Sequence, residues 1–115
     1  MDQPPYFLDA CRRKIVMAAV MQTCSYRGWS LLAAHIRTTH VHVCIVAPEP
    51  PEKVMNDLNS YASRALNRAG LDRSDRKRWA RHDSTRYKWT TDEVEAAVDY
   101  IVRGQGVPLE VFEKS

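Results

Sequence analysis

A chain of 115 residues and 13.2 kDa has room for one domain, residues 1–115, around one hydrophobic core. With 44% hydrophobic and 27% charged residues it is neither disordered nor collagen-like, and its longest apolar runs, Ile15–Met21 and Val41–Ala47, are too short to span a bilayer. The formal charge of +3 hides an asymmetry: nine Lys and Arg stand against three Asp between Arg64 and Lys88, which leaves the rest of the chain acidic.

In chain order, Asp9 is placed to cap a helix through Cys11–Arg27 that stops at Gly28. Ile15, Val16, Ala19, Val20 and Met21 form its broad apolar face. Trp29–Arg37 reads as a strand, Thr38-Thr39 as a tight connection and His40–Ala47 as a second strand, so the two are antiparallel neighbours. Pro48, Pro50 and Pro51 end that strand and open a helix over about Glu52–Arg68. There Val54, Met55, Leu58, Tyr61, Ala62, Ala65 and Leu66 recur at the helical period. After Gly70 the basic segment contains a short hairpin with Arg86–Trp89 as one strand. Thr91 caps a last helix, Asp92–Arg103, with Val94, Ala97, Val98 and Ile101 on its apolar face. Gly104 and Gly106 end it, and Pro108–Phe112 is a tail. The expected class is α+β, with helices on one face of a small antiparallel sheet.

Met1–Pro5 shows no basic or strongly apolar leader, and Cys11, Cys24 and Cys44 form no CxxC pair. Both features point to a reducing compartment and a cytoplasmic address, with no membrane partner.

Chemistry concentrates in three places. In Thr39-His40-Val41-His42-Val43, strand alternation puts His40 and His42 on one face, about 6–7 Å apart, where two imidazoles can converge on one cation. Two histidines on a half-exposed strand are also what plain surface residues look like, and Cys44 on the same face leaves zinc as an alternative. Tyr100 lies near the end of the last helix, followed by Gln105, a source of a neutral oxygen ligand. A tyrosine hydroxyl, with its ordinary pKa near 10, needs help from a metal or a base to attack phosphate. In the third place, Arg64, Arg68, Arg76, Lys77, Arg78, Arg81, Arg86 and Lys88 are interleaved with Trp79, Tyr87 and Trp89, a pattern suited to nucleic acid: cations for phosphates, rings for unstacked bases.

Together, His40-Val41-His42, an amphipathic helix, the basic segment with Trp79-Ala80-Arg81-His82, and a later helix bearing Tyr100-Ile101 resemble the HUH endonuclease superfamily. The likeness is nearest to single-tyrosine transposases of bacterial insertion sequences and the REP-associated tyrosine transposases, in which the tyrosine follows the histidine pair. It covers Leu8 to Gln105. The resemblance implies a ferredoxin-like fold, a homodimer, and cleavage of single-stranded or hairpin DNA with Mg²⁺ or Mn²⁺. His40, His42 and Gln105 would be ligands and Tyr100 the nucleophile, leaving a 5′-phosphotyrosine. The alternative is a truncated or domesticated relative that binds structured single-stranded DNA without cutting it; a small structural dimer with no nucleic-acid role is a third class.

The chain departs from the family pattern at several points. Only Met1–Leu8 precede the first helix, where the family has a β-strand. Gly104 stands four residues after the tyrosine, where the family commonly has its glutamine, and Gln105 stands at five. Thr39 replaces a common Asn, and Arg103 falls where replication initiators often carry Lys.

Overall fold

A computed structural model of the chain describes residues 6–72, 91–104 and 106–114. The elements are α1 (Ala10–Arg27), β1 (Ser30–Ile36), β2 (Val41–Val46), α2 (Pro51–Ala69), α3 (Thr91–Arg103) and β3 (Glu110–Glu113). The α+β class is as the sequence implies. The hairpin expected around Arg86–Trp89 lies outside the described residues, and the supposed tail from Pro108 contains a strand.

Local chemistry sets the helix ends. The Asp9 carboxylate accepts from the Arg12 amide at 2.9 Å, and such a cap contributes about 1 kcal/mol. Gly28, at φ +76°, closes α1: its N–H donates to Ser25 O at 3.3 Å, while Trp29 N–H donates to Cys24 O at 2.8 Å. This reciprocal pair satisfies two terminal carbonyls and turns the chain directly into β1. Pro51 occupies the first turn of α2, where a missing N–H costs nothing.

The sheet order is β2-β1-β3, with both pairings antiparallel. The two-residue turn at Thr38-Thr39 fixes the register, pairing Ile36 with Val41 and His35 with His42. A bulge at Leu32 interrupts β1, and Lys114 N–H donates to the Leu32 carbonyl at 2.9 Å.

Side-chain alternation divides the sheet into two faces. Leu31, Ala34 and Ile36 of β1 join Val16, Val20, Leu58 and Leu66 in the main core, with Val41, Val43, Ile45 and Phe112 packed against it. That face carries α1, which in turn packs on α2. His35, between Ala34 and Ile36, points the other way and bonds to α3. The Arg103–Glu113 ion pair, 2.8 Å, ties α3 to β3 on the same side. The expectation of helices on one face therefore holds for α1 and α2, whereas α3 covers the opposite face. After α3, β3 returns to pair with β1 on the edge opposite β2.

Among the described residues no strand precedes α1. Leu8, almost fully buried, donates its N–H to Thr38 O at 2.7 Å, so the entering chain is latched to the turn beside His40. Asp72 gathers three elements: it accepts from Tyr6 Oη at 2.6 Å and pairs with Arg12 at 2.9 Å, holding the chain's start and α1 to the end of α2. The Asp72 hydrogen bond raises the Arg12 pKa, so that guanidinium stays charged. No helix among the described residues is long and apolar enough to cross a membrane.

Candidate functional site

The face covered by α3 collects the candidate chemistry. His42 projects from β2, and exposed His40 leads into that strand. Their ring centroids lie 6.0 Å apart with the planes inclined by 38°. Two imidazoles each ligating one ion at about 2.1 Å have centroids roughly 4.5–5.3 Å apart, so this pair would close by about 1 Å to share a cation. Cys44 follows on the same face as a half-buried thiol. Cys11 is exposed, while burial pushes the Cys24 thiol up to about 11. Among the described residues no three His, Cys, Asp or Glu side chains gather into a ready metal cluster. The histidine pair therefore needs a further donor, and Gln105, the expected one, lies outside the described residues.

Helix α3 packs against both β1 and β2 and brings Tyr100 to this side of the molecule. Tyr100 is 59% exposed, open to a large substrate. Behind it, Gly104 donates its N–H to Tyr100 O at 2.8 Å. A Cβ at Gly104 would lie 2.8 Å from Tyr100 Cδ1 and 2.9 Å from Tyr100 O. The bare glycine thus lets the tyrosine ring lie against the end of its own helix.

His35 is the buried histidine on this face that sequence reasoning missed. It is fully buried, and both its ring nitrogens are engaged. Leu109 N–H donates to Nε2 at 3.0 Å, which makes Nε2 the acceptor and leaves the proton on Nδ1 to bond Ile101 O at 3.1 Å. A signal existed: counting back from the two-residue turn pairs His35 with His42, on the same face.

Burial is the main cause that lowers the His35 pKa below its ordinary 6.5; nearby Arg37 adds to the effect, and the Ile101 bond opposes it. The unfolded chain therefore takes up this proton before the native protein does. The histidine's contribution to stability is complete above pH 6.5 and declines as pH falls below that value. In metal-free protein, urea unfolding from pH 7.5 to 5 should show this acid loss in wild type and a shallower loss in His35→Gln. Identical pH slopes would contradict the assignment.

Of the eight basic residues predicted to contact DNA, Arg64 and Arg68 are described, both exposed on α2. Neither pairs with a carboxylate among the described residues; the Arg64 guanidinium lies 5.1 Å from the Tyr61 ring centroid. Tyr61 meets Tyr26 with ring centroids 6.4 Å apart, and Arg27 lies 5.8 Å from the Tyr26 ring. Arg76, Lys77, Arg78, Arg81, Arg86 and Lys88 lie outside the described residues.

Comparison with protein-family models, with curated proteins and with solved structures finds no match for this chain.

Proposed function

We propose that the chain is a transposase-like DNA endonuclease and strand-transferase, dependent on Mg²⁺ or Mn²⁺ and acting on single-stranded or hairpin DNA through Tyr100. The observation that carries this reading is the same-face pairing of His40 and His42, with rings 6.0 Å apart, on a sheet against which the helix bearing Tyr100 packs. An imidazole pair suits Mn²⁺ better than Mg²⁺, since nitrogen donors favour the softer ion.

In this reading His40 and His42 offer their ring nitrogens to the cation, which when bound supplies positive charge beside the scissile phosphate. Tyr100 Oη attacks phosphorus in line and yields its proton to solvent. The O–P bond to tyrosine forms as the P–O3′ bond breaks, leaving a 5′-phosphotyrosine and a free 3′-hydroxyl. Attack by a 3′-hydroxyl on that ester rejoins the strand and releases Tyr100. A homodimer, as in the resembling family, would place two such sites in one particle. Incubation of wild type with a labelled single strand from its flanking DNA and Mn²⁺ should give a covalent, protease-sensitive adduct. Absence of an adduct across the flanking sequences would defeat the proposal.

The second reading, a non-cleaving binder of structured single-stranded DNA, draws on the other side of the molecule. There Tyr26 and Tyr61 stand with Arg27 and Arg64 over them. Paired rings with flanking cations suit stacked bases.

Both readings require the basic segment to neutralise phosphates. Replacing Arg76, Lys77 and Arg78 together by Ala should weaken single-strand binding. It should also flatten the slope of log K against log salt by about 0.7 for each phosphate left without its cation. An unchanged slope in a salt titration would place the DNA elsewhere.

A further inference from the structure

We propose that His35 is a positioning residue for Tyr100: a buried neutral imidazole strut that fixes the end of α3 over the His40/His42 face. This rests on the reading of Tyr100 as the nucleophile.

The last carbonyls of a helix have no partner within it, and α3 is only 13 residues long. His35 Nδ1–H supplies a partner for one of them, the carbonyl of Ile101, next to Tyr100. Ile101 itself is 8% exposed, so its side chain also seats α3 on the sheet. The other nitrogen, Nε2, accepts from Leu109, immediately before β3. One ring on β1 therefore ties down both ends of the α3–β3 connection. His35 is also the register partner of His42, so the same residue faces the candidate ligand strand and holds the candidate nucleophile helix. The bond to Ile101 O is buried, so losing the imidazole leaves that inward-facing carbonyl unsatisfied, while the part-buried Leu109 amide loses its acceptor. A shift of about 1 Å in a reacting group is enough to cost roughly a hundredfold in rate.

Two variants test the strut. His35→Leu keeps the volume and removes both bonds, whereas His35→Gln keeps one donor and one acceptor. Hydrogen exchange on DNA-free protein should show residues 98–104 exchanging at least about tenfold faster in His35→Leu and close to wild type in His35→Gln. Unchanged exchange in His35→Leu overturns the proposal, whatever the protein does with DNA. In adduct formation at saturating DNA, His35→Leu should be at least about tenfold slower with affinity within twofold, and His35→Gln should recover most of the rate. An equal rate in folded His35→Leu also overturns it. If wild type itself forms no adduct, the nuclease reading fails and the proposed role toward Tyr100 falls with it, while the exchange result still decides whether His35 anchors α3. Should His35→Leu not fold, ¹⁵N NMR of wild type decides: a proton on Nδ1 with Nε2 accepting supports the strut, and the opposite tautomer refutes it.

Discussion

Tyr100→Phe should abolish the covalent protein–DNA adduct and strand cleavage while leaving fold and DNA affinity intact. The substitution removes one oxygen from a side chain that is 59% exposed. The hydroxyl therefore contributes at most about 1 kcal/mol to stability. The ring stays, and with it the approach to Gly104 that sets its direction. No other oxygen takes over an in-line attack from that place, so the loss should reach the detection limit. Denaturing electrophoresis with a cognate single strand and Mn²⁺ separates the outcomes. A shifted, protease-sensitive band in the mutant would move the nucleophile to another tyrosine. No band in either protein would favour the non-cleaving binder.

The second large effect belongs to the histidine pair. Wild type should bind Mn²⁺ with a Kd between about 10 μM and 1 mM, as befits an open site with few protein donors. His40→Ala/His42→Ala should lose that binding by tenfold or more and cut at least about a hundredfold more slowly, since charge neutralisation at phosphorus goes with it. Stability should change little at His40, which is exposed, and modestly at His42, which is half-buried. Calorimetry with Mn²⁺ on both proteins checks the first part, and equal isotherms would remove the cation from these residues.

Much of the frame is readable in the sequence because its causes are local. Asp9, Gly28, Pro51 and Gly70 mark helix ends by capping and backbone preference, and each marks one here. The common face of His40 and His42 follows from strand alternation alone, and Val54, Leu58, Ala62 and Leu66 are the buried stripe that their spacing implies. What escapes depends on distant segments meeting. The strand at Glu110–Glu113 is four residues long with a glutamate at each end, so its own sequence resembles a solvated tail. Pairing with β1, more than seventy residues earlier, makes it a strand. His35 stays hidden because a histidine inside a strand declares nothing until its two partners, 66 and 74 residues later, are in place.

The tyrosine's seat against Gly104 restricts how this chain could change over time. A glutamine at 104, where the resembling family commonly keeps its amide, would bring a Cβ into the space beside Tyr100 Cδ1 and Tyr100 O. A side chain at 104 is therefore not a single permissible step: the Tyr100 ring must turn and the end of the helix must give first. Glycine at four after the tyrosine and the present seat of the tyrosine ring should behave as one inherited unit. In a library randomised at 104, active clones should keep glycine, and a search pattern that demands glutamine at four would pass over every chain built this way.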